Sequence, residues 1–244
     1  MKVGVIVQAR MGSTRLPGKV LAAIDDEVLL AHVVGRVRLV RPSVALVVAT
    51  SSSAPDDAIV DFCERSRIAC FRGSEADVLA RYADCAALYR FDHVVRLTAD
   101  NPFTDVAELG RLIELHVTEA ADYSHAFGQL PIGVGAEIFR REALERAARL
   151  GTAANHREHV NEYILEHPAE FRVSTLLVPE SKRASSVRLT VDVPDDLRRA
   201  RWIARESSTR YVETEEAIRL ATAYEACSRA GEFVDAPRDE GGLR

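Results

Sequence analysis

The residues that could do chemistry in this chain lie just past apolar runs. The first run, Val3, Val5, Ile6 and Val7, opens into a polar loop carrying Arg10, Gly12, Ser13, Thr14, Arg15, Gly18 and Lys19. Small residues let backbone N–H groups approach phosphate oxygens, and Arg or Lys neutralises the charge. The spacing is not GxxxxGK[ST], because Val20 follows Lys19, and it is not GxGxxG. The loop reads as a phosphate loop of another kind, or as an ordinary basic turn. Two further runs, HVVRLTA and VRLTV, end on Asp100 and Asp192. Two carboxylates at strand ends beside a basic loop suggest a magnesium–triphosphate site, since Mg²⁺ is held by one or two carboxylates with phosphate oxygens and water. The plainer reading makes Asp100, before Asn101 and Pro102, a turn residue. It makes Asp192, ahead of Pro194, a helix cap.

Placing these groups takes a fold that brings strand ends together. Residues 2–8 and 44–50 are nearly continuous in apolar character, as in central parallel strands. Further strands are expected at 67–71 and 93–99, with helices over 28–39, 56–66, 77–90 and 105–119. Ser74 with Asp77 has the form of a capping box for the third of these helices. This alternation with short connections predicts an α/β doubly wound, mainly parallel sheet. In such sheets ligands collect beyond the carboxyl ends of the strands. The second half is less regular. Strands are expected at 121–125, 134–139, 171–178 and 187–191. Helices are expected over 140–150, 156–166, 194–206 and 214–229, and a disordered tail from 231.

The 244 residues suffice for one large domain, here 1–230, and are short for two. A net charge of −5 argues against nucleic acid as a partner, because its electrostatic footprint needs a basic stripe. Cys63, Cys70, Cys85 and Cys227 form no CxxC pair or zinc spacing, which predicts reduced thiols in a cytoplasmic protein. No apolar window reaches membrane-spanning length, so a soluble chain without membrane contact is expected.

Several segments together resemble the cytidylyltransferase family, which includes the CMP-KDO and CMP-sialic acid synthetases. The resemblance is strongest to the branch of spore coat polysaccharide biosynthesis protein F. It is carried by QARMGSTRLPGKVL at 8–21, RGSEADVLARY at 72–82, RLTADNPF at 96–103, REHVNEYI at 157–164 and LTVDVPDDL at 189–197. It implies a three-layer α/β/α nucleotide-diphospho-sugar-transferase fold of Rossmann-like type. It also implies a homodimer with a contact arm at about 120–180, and transfer of CMP from CTP to an acidic acceptor with release of pyrophosphate. The acceptor would be a KDO- or sialic-acid-like sugar acid, or a phosphonate. By resemblance, Arg10 and Lys19 hold the triphosphate, and backbone around Gly12, Ser13 and Thr14 cradles it. Arg15 joins them, and Gln8, Ala9 and Thr98 lie within the matched blocks on the nucleotide side. Arg72, Gly73 and Ser74 line the cytosine and ribose, and Asp100 and Asp192 match the Mg²⁺ ligands.

An acidic acceptor needs a positive group to receive it, and Arg96, Arg157 and His159 are the candidates. Glu158 stands between the last two, where a charge cluster opening a helix is otherwise only solvated. Glu137 is a lone acid in an apolar run and must find a partner or a ligand. The resembling branch carries an Asp two positions before this Glu; here that position is Gly135, which bears on acceptor identity. Two other readings keep the fold: a glycosyltransferase using a nucleotide-diphospho-sugar, and a catalytically silent nucleotide-binding subunit. Two Arg and a Lys at the Leu-Pro-Gly turn suit a triphosphate better than a diphospho-sugar.

Overall fold

The computed structural model describes residues 1–230, so the expectation for 231–244 lies outside the described residues. The strands are β1 (Val3–Gln8), β2 (Ala23–Ile24), β3 (Glu27–Val28), β4 (Ala45–Ser51), β5 (Ala69–Gly73), β6 (His93–Thr98), β7 (Tyr123–His125), β8 (Glu137–Arg140) and β9 (Val173–Thr175). The helices are α1 (Leu29–Val37), α2 (Asp57–Arg65), α3 (Val78–Tyr89), α4 (Val106–Thr118), α5 (Arg141–Leu150), α6 (Ala154–Glu158), α7 (Glu162–Glu166), α8 (Pro194–Glu206) and α9 (Thr214–Ala230). One sheet runs β5-β4-β1-β6-β8-β7-β9, and β2 and β3 form a separate hairpin. β5, β4, β1 and β6 are mutually parallel, whereas β8 is antiparallel to both β6 and β7.

The order follows from crossover handedness. The chain steps outward from β1 to β4 and β5, then returns to place β6 on the other side of β1. Right-handed crossovers force the connecting helices to change face at that reversal. The two cores show it. Val5, Val7 and Val95 pack with α1, α4, α8 and α9, while Ile6, Val47 and Val94 pack with α3, α5 and α7. The result is a mostly parallel, mixed sheet between two helical layers. The carboxyl ends of β1 and β6 flank the switch point, so the loop after Gln8 opens into the crevice where the topology reverses. Tight contact at the opposite end comes from Gly4: a Cβ there would sit 2.3 Å from the ring of buried Phe91.

Four expectations are corrected. Residues 187–191 are not a sheet strand. They run extended past the 131–133 turn, joined by one parallel bridge, Ile132 to Arg188, and by Leu189 N–H to Ile132 O at 2.8 Å. Gly133 makes the approach possible. Its φ is +92°, and a Cβ would meet the Thr190 backbone nitrogen at 2.7 Å. The helix expected over 156–166 is two short turns, α6 and α7, interrupted at extended His159. The break lets Val160 enter the core and Asn161 donate to the Tyr123 hydroxyl at 3.2 Å. The strand expected at 171–178 contracts to β9. Finally, the N-cap of α3 is Asp77, which accepts from Ala80 N–H at 2.8 Å, while Ser74 Oγ accepts from Asp77 N–H at 3.0 Å.

A buried ionic knot ties the α4 and α9 starts together. Lys182 Nζ lies 2.7 Å from Asp105 Oδ2 and 3.2 Å from Glu108 Oε1, and the Thr214 hydroxyl donates to Asp105 at 2.6 Å. Burial alone would raise the Asp105 carboxyl. Lys182, Thr214 and the Glu108 N–H outweigh it and hold the group below its usual range. That stabilisation is complete above the ordinary Asp pKa of about 3.9 and is lost as pH falls through the lowered native value. Lys182→Met strands buried Asp105, while Glu108 keeps its pair with Arg111, and is expected to cost about 3–5 kcal/mol at pH 7. Its Asp105 would titrate above the unfolded value. Urea midpoints of wild type and variant should therefore converge as pH falls from 7 towards 4; a gap independent of pH would show that the knot is not ionic.

Candidate active site

The loop after β1 is shaped by its own backbone and by one acid from elsewhere. Met11 O accepts from Ser13 N–H at 2.9 Å and Gly18 N–H at 3.0 Å, and Gly18 takes the left-handed φ of 70° that closes the turn. Asp56 anchors the loop from outside. Its carboxylate accepts from Met11 N–H at 2.7 Å and from the Ser51 N–H and hydroxyl at 3.1 and 2.5 Å. Burial pushes this carboxyl up, but those donors hold it below its usual range. Among the described residues the N–H groups of Gly12, Thr14 and Arg15, all exposed, donate to no protein acceptor.

Lys19 follows Gly18 and turns inward, 8% exposed. Its ammonium contacts Asp100 Oδ2 at 2.7 Å, Asp192 Oδ1 at 2.8 Å and Val191 O at 2.8 Å. Val191 N–H in turn donates to Asp100 O at 2.9 Å, stitching the two acidic segments together. Asp100 does lie in a turn, as the plainer reading had it, but its carboxylate faces Lys19, and Asp192 is not the helix cap. Asp196, not Asp192, accepts the Asp192 and Val193 N–H groups ahead of α8. The Thr98 hydroxyl donates to Asp100 Oδ1 at 2.6 Å, Arg15 lies 3.3 Å from Asp192 Oδ1, and Arg188 pairs with Asp192 Oδ2. Burial raises the Asp192 carboxyl, yet Lys19, Arg188 and Arg15 together hold it low.

A cavity of about 240 Å³ is lined by Gln8, Arg10, Ser13, Thr14, Arg15, Lys19, Thr98, Asp100 and Asp192. A second, of about 340 Å³, shares Thr98 and continues along Arg96, Asn101, Phe127, Leu130, Gly135 and Glu137. Arg96 and Glu137 face each other across β6 and β8 as an ion pair, and Glu137 also accepts from the Tyr123 hydroxyl at 2.7 Å. Burial lowers the Arg96 guanidinium, but Glu137 outweighs it and pushes it up. A Cβ at Gly135 would meet only Leu130 Cδ1, at 3.5 Å, so this glycine leaves space in the second cavity. A depression of about 840 Å³ lies at the amino ends of the strands beside Val3 and Val44, away from all these groups.

Other expected site residues stand apart. The Arg72 guanidinium holds Ser51 O, Ser53 O and Asp57, Ser74 serves as a backbone anchor, and Gly73 packs against Phe71 and Arg81. Ala9 is buried at the end of β1. Arg157 reaches Asp77 at 3.2 Å and Ala148 O at 2.8 Å, a brace from α6 to the α3 cap and to α5. Glu158 and His159 are exposed and line neither cavity. Two residues were missed, Asp56 and Arg188. Arg188 stands four residues before Asp192, a spacing visible in the sequence. Asp56 is linked to the loop only by tertiary contact.

A family model described as cytidylyltransferase matches residues 4–225. This chain belongs to the cytidylyltransferase family. It is 38% identical over 196 residues to the spore coat polysaccharide biosynthesis protein SpsF of Bacillus subtilis, covering 78% of this chain and 81% of that protein. The 8-amino-3,8-dideoxy-manno-octulosonate cytidylyltransferase of Shewanella frigidimarina is 30% identical over 129 residues, 52% of each. The solved structure of a cytidylyltransferase from Leptospira borgpetersenii superposes over all of both chains with a TM-score of 0.83 at 26% identity. The cytidylyltransferase fold and the nucleotidyltransferase class of enzyme are thereby assigned.

The donor set fits the Mg²⁺ that the resemblance implies. Asp100 and Asp192 close on one nitrogen from two sides, so they can share one small cation. Among the described residues no group of three or more His, Cys, Asp or Glu could hold a metal. Two carboxylates completed by phosphate oxygens and water match Mg²⁺ better than an all-protein cage. Asp56→Asn is expected to loosen the phosphate loop, costing about 1–3 kcal/mol in urea unfolding and weakening CTP binding in a titration. Unchanged values for both would remove Asp56 from that role.

Proposed function

We propose that this cytidylyltransferase joins CMP from CTP to an acidic acceptor, a sugar acid of the octulosonate or sialic-acid kind or a phosphonate, and releases pyrophosphate. The observation that carries the reading is the convergence of Lys19, Asp100 and Asp192 at the mouth of a loop with unpaired N–H groups. Free N–H groups of the loop, with Arg10 and Arg15, suit the outer phosphates. Lys19 supplies a point charge and the arginines planar forks. Asp100 and Asp192 would hold Mg²⁺, which when bound polarises phosphate and offsets charge on the leaving pyrophosphate. Thr98 lies on the wall of both cavities, so the α-phosphate belongs beside it and the acceptor beyond it. Transfer of this kind depends on positioning and neutralisation rather than on covalent help from the protein.

The second cavity supports a sugar-like acceptor. Asn101 Oδ1 is buried there without a partner, an acceptor matched to a hydroxyl, and the Arg96 Nε donor is likewise unpaired among the described residues. Glu137 already balances the Arg96 charge, so that donor is directional rather than a free cation. Dimerisation through residues 120–180 is part of the proposal, supported by exposed Phe127, Ile132, Leu165, Val173 and Leu177 within that stretch. A cytoplasmic setting is proposed too. Among the described residues no helix is long and apolar enough to cross a membrane. Family membership favours this reading over a glycosyltransferase, and the presence of Arg10, Lys19, Asp100 and Asp192 favours it over a silent subunit.

The test is pyrophosphate release from each of the four NTPs against a panel of sugar acids and phosphonates. Release with CTP alone is expected; release only with UTP and a sugar phosphate would overturn the reading. Asp100→Asn and Asp192→Asn should each lower turnover by at least about a hundredfold while the thermal midpoint stays close to wild type. Lys19→Ala should weaken CTP binding far more than CMP binding, and equal losses would take Lys19 off the outer phosphates.

A further inference from the structure

We propose that Lys19 is a built-in plug for the metal position, so that the divalent cation enters only together with the nucleotide. The inference rests on the reading of Asp100 and Asp192 as metal carboxylates and adds an order of binding to it. The geometry is specific. An ammonium has three N–H donors, and all three of Lys19 are committed, to Asp100 Oδ2, Asp192 Oδ1 and Val191 O at 2.7–2.8 Å. Those two carboxylate oxygens are the pair that a shared cation would need. The remaining two are engaged as well, Asp100 Oδ1 by the Thr98 hydroxyl and Asp192 Oδ2 by Arg188.

Charge reinforces the block. Lys19, Arg15 and Arg188 surround the two carboxylates, and Asp196, which Arg188 also reaches, is balanced by Arg199, so the cluster carries more positive than negative charge before any ligand arrives. A bare divalent cation must displace a fitted ammonium and enter against that excess. A triphosphate reverses both conditions. It brings several negative charges, and its oxygens give the ammonium an alternative partner set. Lys19 is suited to the exchange because a compact ammonium on a flexible four-carbon stem can swing between oxygen sets. Its backbone stays fixed by Lys19 N–H to Leu16 O at 3.2 Å and Ala22 N–H to Lys19 O at 3.0 Å. The carboxylates released by the swing then face the metal that accompanies the phosphates.

Equilibrium dialysis with Mn²⁺ as the probe tests this without turnover. Wild-type protein should retain Mn²⁺ at least tenfold more weakly without nucleotide than with CTP. Lys19→Met should bind Mn²⁺ at least tenfold more tightly than wild type in the absence of CTP, and Lys19→Arg, which keeps the charge, should not. Adding Asp100→Asn and Asp192→Asn to Lys19→Met should abolish the gain. Tight retention by nucleotide-free wild type would overturn the plug while leaving the metal assignment intact, and it needs no variant to fold. No retention by wild type with CTP would overturn the metal assignment and the plug with it.

Discussion

The site depends on one buried contact, the Lys19 ammonium seated between Asp100 and Asp192. It joins three stretches far apart in sequence: the loop after β1, the end of β6, and the extended segment before α8. Each stretch is rigid for its own reason. Gly18 closes the loop, Thr98 and Asn101 brace Asp100, and Asp196 caps the backbone behind Asp192. An ammonium left between carboxylates at low exposure attracts both strongly, because solvent screens the pair poorly there. The contact therefore sets the width of the crevice mouth in the absence of ligand.

Strand ends were the legible part of this chain. Continuous apolar runs before Gln8 and Asp100 placed β1 and β6, and alternation with helices gave the parallel half of the sheet. Lys19 and Asp100 could be grouped because an open α/β sheet gathers what lies beyond its strand ends, and Asp192 was grouped with them through a strand that the sheet does not contain. The reading of 187–191 as a sheet strand erred for a physical reason. An apolar, β-branched run looks the same whether it pairs along its length or is stitched at one bridge and buried against a turn. The protein contacts of Arg72 and Arg157 were equally hidden, because a guanidinium gives one sequence signal whether it faces a ligand, a protein acceptor or both. Asp56 gave no local hint, since its importance lies in where Met11 happens to pass.

The two cavities differ in how they are charged. The side that holds Lys19 keeps unbalanced cations near its carboxylates, which suits an anionic ligand. The neighbouring side holds a cross-strand pair, Arg96 with Glu137, whose charges cancel and whose geometry is fixed by register. Affinity for charge thus resides on one side of Thr98, and directional hydrogen bonding on the other.

The antiparallel β8 separates these duties further. Because it runs against β6, its first residue, Glu137, meets the crevice, and the chain entering it, residues 126–136, forms much of the second cavity. The segments carrying Lys19 and Asp100 leave parallel strands, whereas this one arrives. Insertions or exchanges in the arriving segment can therefore reshape one wall while the register of β1 and β6 stays untouched. The topology gives a lineage a way to change partners for the transferred group and still inherit the same activated nucleotide.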